Sequence, residues 1–94
     1  MEVRFSKKAV KFLKKLDAET TDRVRQKILQ LQSFLETEGA IPITILDIKK
    51  LKGDWDGYFR LRVGQIRVIF TIIDGKVEIL LIYDIDFRGN VYEK

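Results

Sequence analysis

The sequence predicts an α+β fold in which an N-terminal strand and a helical hairpin pack on one face of an antiparallel twisted sheet. Three observations predict it. Apolar residues recur at helical spacing over residues 6–37, whereas from Tyr58 onward they alternate with polar residues. The dipeptide Asp74-Gly75 is a strong signal for a tight turn between two strands. Because the chain has 94 residues, we expect one domain over residues 1–94.

The N-terminal part is predicted to form a strand and two helices. Residues 3–5 alternate in polarity, as a short strand does. Ser6 is a suitable N-cap for a helix over residues 6–16, whose lysines and apolar side chains occupy opposite faces. A second amphipathic helix is predicted from about residue 18 to residue 37, with Gly39 as its C-terminal stop. The short connection predicts that the two helices are antiparallel neighbours.

The C-terminal part is predicted to be a loop followed by three strands. Residues 40–57 have no regular pattern and contain Pro42, so most of this segment is expected to be loop. The strands are expected over residues 58–63, 66–73 and 76–83, with two-residue turns at Gly64-Gln65 and Asp74-Gly75.

Two-residue turns fix the register of the strands. They predict Arg62 opposite Arg67, and Phe70 opposite both Phe59 and Ile79. The core face of the sheet is then expected to hold Phe59, Leu61, Val68, Phe70, Ile72, Val77, Ile79 and Leu81. The opposite face is expected to hold Tyr58, Arg60, Arg62, Arg67 and Thr71, with Ile69, Leu80 and Ile82 exposed among them.

The composition excludes several kinds of chemistry. The chain has no cysteine and no histidine, which removes disulfides, thiolate nucleophiles, Ser-His-Asp triads and Cys or His metal sites. We therefore expect no metal and no cofactor. The N-terminus has no secretory signal and no apolar run is long enough to span a membrane, so a cytoplasmic protein is expected.

The basic residues are clustered. The net charge is +4, and the segment between Gly57 and Ile73 contains three arginines and no acidic residue. Like charges directly opposite on a sheet are destabilising, so the pair Arg62 and Arg67 needs an explanation. Both side chains could extend into water or pair with Asp84 or Asp86. Alternatively, they could bind an anion such as a phosphate, as part of a single-stranded nucleic-acid platform or of a groove for an amphipathic partner.

Several segments in order resemble the RelE/ParE superfamily of toxins from bacterial and archaeal toxin–antitoxin pairs. The resemblance covers nearly the whole chain. It includes the N-terminal strand with its helical hairpin and the segment Lys50-Leu51-Lys52-Gly53. The sharpest part is the run from Tyr58 to Phe70, with two basic residues two apart, a glycine turn and then Arg-Val-Ile. The ending Arg88-Gly89-Asn90-Val91-Tyr92 is similar to the family's terminal Arg followed by Val-Tyr.

The resemblance to the RelE branch implies a ribosome-dependent endoribonuclease that cuts mRNA in the ribosomal A site without a metal. It implies roles for Arg60 and Arg62 as the paired basic residues and for Arg67 as the arginine that stabilises the transition state. Arg88 corresponds to the C-terminal basic residue, and Tyr92 to the aromatic residue that orients a base. RNA binding is assigned to Lys49, Lys50, Lys52, Arg60 and Arg62. Because Arg67 is predicted on the non-core face, its replacement is expected to lower stability little.

The sequence also departs from the family pattern. Ile66 and Phe70 stand where the family often has Tyr, and Phe87 stands where a His often precedes the Arg. Arginines stand at the paired basic positions, where the best-known bacterial members have lysines. Arginine stays protonated at any ordinary pH, so it does not readily act as a general base.

The resemblance implies partners as well. They are a small acidic RelB-like antitoxin, the ribosome and mRNA. The alternatives are a ParE-like inhibitor of DNA gyrase and an inactive relative that only binds the antitoxin. The scarcity of Met and Cys and the high share of charged residues hint at an archaeal or thermophilic source.

Overall fold

The computed structural model describes residues 1–87 and confirms the predicted α+β fold. Two helices pack on one face of a five-stranded sheet with strand order β1-β5-β4-β3-β2. The helices are α1 (Lys7–Lys15) and α2 (Ala18–Glu38), and a 3₁₀ turn lies at Gly53–Trp55. The strands are β1 (Glu2–Phe5), β2 (Ile48–Lys50), β3 (Phe59–Val63), β4 (Ile66–Ile73) and β5 (Ile79–Phe87).

The helices begin and end where their capping residues predict. The Ser6 hydroxyl accepts a hydrogen bond from the Ala9 amide, 3.1 Å away, at the start of α1. Asp17 caps α2 in the same way through the Thr20 amide. Gly39 ends α2 with a φ of 67°, a left-handed conformation that glycine adopts without strain. Within residues 1–87, neither helix is both long and apolar enough to cross a membrane.

The sheet is mixed rather than wholly antiparallel. Strands β2, β3, β4 and β5 pair antiparallel, and β1 pairs parallel with β5. Parallel pairing needs a long connection between the two strands, and the helical hairpin and three further strands between β1 and β5 supply it. The N-terminal strand thus covers one side of β5, which becomes an inner strand of the sheet.

The predicted loop over residues 40–57 is partly wrong. It contains β2, which forms one edge of the sheet, and the 3₁₀ turn at Gly53–Trp55. Leu46 and Ile48 are buried while Asp47 and Lys49 are exposed, as in a half-buried strand. The strand is only three residues long, so its alternation is too short to stand out in the sequence.

The predicted start and register of the last strand are also wrong. β5 begins at Ile79 rather than at residue 76, and Asp74-Gly75 belongs to a longer turn. Phe70 therefore pairs with Ile82 rather than Ile79, and an irregularity lies between Ile69 and Phe70. The β3–β4 register is confirmed, including Arg62 opposite Arg67. The Gly64 turn fixes that hairpin, whereas the second turn is long enough to allow several registers.

The changed register exchanges the two faces of β5. Leu80 and Ile82 are completely buried in the core beneath the helices, while Val77 is 56% exposed and Leu81 is only half-buried. Ile69 is also fully buried, but in a second small cluster on the other face of the sheet. The prediction that Ile69, Leu80 and Ile82 form an exposed apolar surface is therefore wrong. The main core beneath the helices is formed by Ala9, Val24, Ile28, Leu31, Leu35, Leu46, Ile48, Leu61, Ile66, Val68, Phe70, Leu80, Ile82 and Ile85.

Candidate nucleic-acid interface

The face of the sheet away from the helices, which we call the open face, carries the predicted basic residues in adjacent rows. Lys49 on β2 is paired across the strands with Arg60 on β3. One row further along, Arg62 on β3 is paired with Arg67 on β4. Alternation along β3 directs both of its arginines away from Leu61, which is buried under the helices. The structure thus brings four basic residues of three neighbouring strands onto one face.

Arg62 and Arg67 converge on a single acceptor. Nε of Arg62 lies 3.5 Å and Nη1 of Arg67 lies 3.4 Å from the carbonyl oxygen of Gly64. Gly64 has a φ of 60°, so the tight turn itself presents this carbonyl to the two side chains. The shared acceptor partly offsets the repulsion between the opposed cations and keeps both groups beside the turn.

The three arginines differ in burial and in partners. Arg62 is exposed, whereas Arg67 is only 5% exposed and lies opposite Asp86 of β5 as well as Arg62. The prediction that replacing Arg67 affects stability little is therefore in conflict with its burial. The Arg60 guanidinium is 2.9 Å from a carboxylate oxygen of Asp47, and its buried Nε has no hydrogen-bond partner among residues 1–87.

The acidic residues of β5 take different partners. Asp84 is opposite Ile69 and almost completely buried, and one of its carboxylate oxygens lies 3.2 Å from the Lys8 ammonium group of α1. Its other carboxylate oxygen has no hydrogen-bond partner within the described part of the chain. Asp86 is the acid placed beside Arg67 by the register. An acid is therefore close to Arg67, while Arg62 is left exposed.

The predicted RNA-binding lysines lie at the edge of the sheet. Lys49, Lys50 and Lys52 are all exposed, and together with Leu51 they line a surface pocket. Lys50 is paired with Phe59, so strand alternation places it on the helix side of this edge rather than on the open face. Arg88 and Tyr92 lie outside the described residues.

Sequence reasoning missed two components of this face. Asp47 lies in a turn, as the predicted loop has it, but its contact with Arg60 depends on the pairing of β2 with β3, which the sequence did not indicate. The second component is an aromatic cluster of Trp55, Tyr58 and Tyr83, in which each ring contacts both others edge to face. The cluster was not predicted because the register expected for β5 from the sequence was wrong, and Tyr83 is placed beside Tyr58 only by the correct pairing.

This arrangement can bind and stabilise negative charge. Neighbouring guanidinium groups match the oxygen atoms of a phosphate and stabilise the charge that develops on it during transfer. Arginines cannot readily remove a proton, so these side chains bind and stabilise rather than act as a base. Within residues 1–87, no group of three or more acidic side chains is arranged to hold a metal ion.

Solved structures with a similar fold include toxins and toxin–antitoxin complexes. The archaeal RelE–RelB complex from Pyrococcus horikoshii OT3 is 30% identical, with a TM-score of 0.66 over 96% of this chain and 97% of that one. The RelB–RelE complex from Methanococcus jannaschii is 26% identical, with a TM-score of 0.64 over 96% and 95%. A YoeB/ParE toxin from Agrobacterium tumefaciens shares the fold at 20% identity, with a TM-score of 0.69 over 94% and 99%.

The sequence was compared with curated proteins and with models of protein families. No curated protein sequence matches the chain. The sequence model of the family described as the ParE toxin of the type II toxin–antitoxin system parDE matches residues 3–89, which is most of the chain. With the fold shared by RelE, YoeB and ParE toxins, this match shows that the chain belongs to the RelE/ParE superfamily of type II toxin–antitoxin toxins.

Proposed function

We propose that this toxin is a ribosome-dependent endoribonuclease of the RelE type, which arrests translation by cleaving mRNA in the A site. The observation that carries the proposal is the convergence of Arg62 and Arg67 on the Gly64 carbonyl, on a sheet face that the helices leave uncovered. Two neighbouring guanidinium groups are suited to a phosphate group. The likeness to two archaeal RelE structures, one of them 30% identical, adds support for this branch of the superfamily.

The proposed reaction needs only groups of the RNA and of the toxin. The 2′-hydroxyl of one nucleotide attacks the adjacent phosphorus, and the bond to the 5′-oxygen of the next nucleotide breaks. The products are a 2′,3′-cyclic phosphate and a 5′-hydroxyl, and the proton lost by the 2′-oxygen balances the one gained by the 5′-oxygen. The pentacoordinate intermediate carries more negative charge than the substrate. Arg62 and Arg67 therefore stabilise the transition state more than the bound RNA.

We assign different roles to the other basic residues. Arg60 is held by Asp47, which fixes its guanidinium in the row next to Arg62 and suits it to bind a neighbouring phosphate. Lys49, Lys50 and Lys52 bind the RNA backbone at the sheet edge. Arg88 and Tyr92 complete the site as basic and base-orienting residues, as the family pattern implies. The ribosome supplies the orientation of the mRNA, which accounts for the expected dependence on it.

A translating ribosome preparation tests the proposal directly. Purified toxin is added during translation of a defined mRNA, and primer extension maps the ends that result. Cleavage within the A-site codon, absent when the same mRNA is incubated with toxin alone, is the expected result. Intact mRNA on toxin-treated ribosomes would contradict it.

The alternative of a DNA gyrase inhibitor is favoured by one observation, namely that the matching family description is that of a ParE toxin. Gyrase inhibition predicts cleaved DNA trapped on gyrase and unaffected mRNA. The same toxin preparation is therefore tested with gyrase, supercoiled DNA and ATP. Trapped breaks together with intact mRNA would support this alternative over RNA cleavage.

We further propose that a small acidic RelB-like antitoxin binds the toxin and keeps it inactive. Two of the similar structures are RelB–RelE complexes, and the open face offers the exposed Arg62 to carboxylates of such a partner. Since Ile69, Leu80 and Ile82 are buried, the apolar contacts of the antitoxin with the toxin have to lie elsewhere. A groove between the helices and β1 meets this need, with apolar walls and two basic residues. Its lining is Phe5, Val10, Leu13, Lys14, Thr21, Val24, Arg25 and Ile28.

Co-expression tests this partner and its two contact regions. The antitoxin encoded beside the toxin gene is co-purified with the wild-type toxin and with Arg62→Glu and Val10→Asp variants. We expect both substitutions to weaken the complex. The affinity of the Arg62→Glu variant should no longer fall with added salt, whereas the affinity of the Val10→Asp variant should still do so. A complex unaffected by either substitution would contradict both contact regions.

A further inference from the structure

The cluster of Trp55, Tyr58 and Tyr83, which we call the aromatic triad, is an unusual feature of the open face. The ring centroids are 5.3 to 5.6 Å apart and all three pairs are edge to face. Trp55 and Tyr58 pack over Leu51 and Ile69, the second buried cluster of the chain, and Tyr83 contacts both of these rings. Tyr83 is nevertheless 42% exposed. An aromatic ring that is fixed by its neighbours and open to solvent is a ready surface for another flat group.

The backbone of β5 is irregular at the residue that carries this exposed ring. Ile82 is paired with Phe70 and Asp84 is paired with Ile69, which leaves Tyr83 as an extra residue in the ladder. Such a bulge changes the direction of a side chain and is common beside functional sites. The Ser6 hydroxyl donates a 2.6 Å hydrogen bond to the Tyr83 carbonyl, so the start of α1 holds the bulge in place.

The triad adjoins the lysine pocket at the edge of the sheet. Leu51, which lies beneath the rings, also lines the pocket of Lys49, Lys50 and Lys52. Ile69, the other residue beneath the rings, is the pairing partner of Arg60. Acidic residues are present too, since Asp54 and Asp56 belong to the turn that carries Trp55. The rings thus lie next to a pocket whose charged side chains are all basic.

We propose that the aromatic triad is a stacking subsite for one base of single-stranded RNA, with Tyr83 as the ring that contacts the base and the adjacent lysine pocket holding its phosphate. Fixed aromatic rings beside a basic groove are the arrangement by which proteins bind single strands without reading their sequence. The inference rests on the proposed RNA substrate and extends it to a named second contact, away from the arginines beside Gly64. An acidic antitoxin segment is the competing occupant, and the exposed ring of Tyr83 beside the lysines favours the nucleic acid, because a base stacks on such a ring and a carboxylate does not.

The single tryptophan of the chain makes the triad directly observable. Trp55 fluorescence is followed while the free toxin is titrated with a short single-stranded ribo-oligonucleotide, and in parallel with an abasic strand of equal length and charge. We expect saturable quenching by the normal strand and at least about fivefold weaker binding of the abasic strand. Equal binding of the two strands, or no binding of either, would overturn the subsite.

Variants of the exposed ring sharpen the test. Tyr83→Leu keeps an apolar side chain beside Trp55 and Tyr58 but removes the ring, and it is expected to weaken binding by about 5- to 100-fold. Tyr83→Phe, which keeps the ring and loses only the hydroxyl, is expected to bind like wild type. Val77→Ala, at an exposed position of the turn before β5, is the matched control and should change nothing. Unchanged RNA affinity in Tyr83→Leu would overturn the proposal.

This test separates the subsite from the proposed function. If the toxin cleaves mRNA in the A site but RNA does not quench Trp55 fluorescence, the stacking subsite is overturned and the proposed endoribonuclease activity is supported. Base-dependent quenching without cleavage would support the subsite and count against the reaction instead. Quenching by purified antitoxin but not by RNA would overturn the proposal and assign the triad to the protein partner.

Discussion

The two faces of the sheet are built from the same three long strands and have opposite properties. The face under the helices is apolar and almost completely buried, with Leu61, Val68 and Phe70 fully inaccessible. The open face carries the arginines of β3 and β4 and the aromatic triad. Burial of apolar surface stabilises the fold, whereas fixed and accessible charges can act on a substrate. The comparison teaches that stability and activity should be separable at exposed residues of the open face, such as Arg62, but not at Arg67, which is buried there.

The largest expected effect compares consecutive residues of β5. Leu80 is fully buried under the helices and Leu81, on the other face, is half-buried. Leu80→Ala is expected to lower the free energy of unfolding by about 2–5 kcal/mol because it leaves a cavity, and Leu81→Ala by clearly less. Denaturant unfolding of both variants measures this. A larger loss for Leu81→Ala would restore the register that the sequence predicted and contradict the observed one.

The next comparison is between the two opposed arginines. Arg67→Met replaces a buried cation that hydrogen-bonds to Gly64, so we expect a loss of about 1–3 kcal/mol in the free energy of unfolding. Arg62→Met removes an exposed side chain and should change it by less than about 0.5 kcal/mol. The same unfolding experiment serves both variants. Equal losses would show that burial does not distinguish these arginines.

Ser6 connects the two faces, because its hydroxyl caps α1 and also holds the Tyr83 carbonyl. Ser6→Ala loses both hydrogen bonds and is expected to lower the free energy of unfolding by about 0.5–2 kcal/mol. It should also weaken RNA-dependent quenching of Trp55, since the bulge carrying Tyr83 is less firmly held. Ser6→Thr, which retains a hydroxyl, is the control. Full stability of Ser6→Ala would mean that neither bond contributes.

The smallest expected effect is a pH-dependent change in stability at Asp17, which caps α2 and belongs to neither face of the sheet. The hydrogen bonds from the side chain and amide of Thr20 lower the pKa of Asp17 below its ordinary value. The folded state therefore favours the carboxylate, which stabilises the protein above the unfolded pKa of about 3.9, and this gain is lost as the pH falls through the lower folded pKa. The melting temperature of Asp17→Ala should be below that of wild type at neutral pH. The two should converge in acid, and a constant difference would contradict the assignment.

Local signals made much of the fold predictable. The caps at Ser6 and Gly39 and the tight turn at Gly64 each act within a few residues, and the elements they define were predicted correctly. The register of β5 was not predictable in this way. Residues 79–82 are all apolar, so alternation does not tell which side faces the helices, and the pairing with β1 that settles it is distant in sequence.

In the candidate site too, contacts set by a local turn were predictable, and contacts between distant segments were not. The opposition of Arg62 and Arg67 followed from a local turn and was predicted correctly. The Asp47 partner of Arg60 and the contact of Tyr83 with Trp55 join distant segments, and they depend on a short strand and a bulge. Burial of Arg67 was missed for a similar reason, since the sequence shows which face a strand residue takes but not what covers it.

The most direct test of the central claim measures cleavage and stability together in Arg62→Glu. Arg62 is exposed on the open face, so its charge can be reversed without opening the core. We predict that A-site cleavage falls about 100-fold or more while the melting temperature stays within a degree or two of wild type. Unimpaired cleavage by a folded Arg62→Glu toxin would contradict the claim that the arginines of the open face perform the reaction.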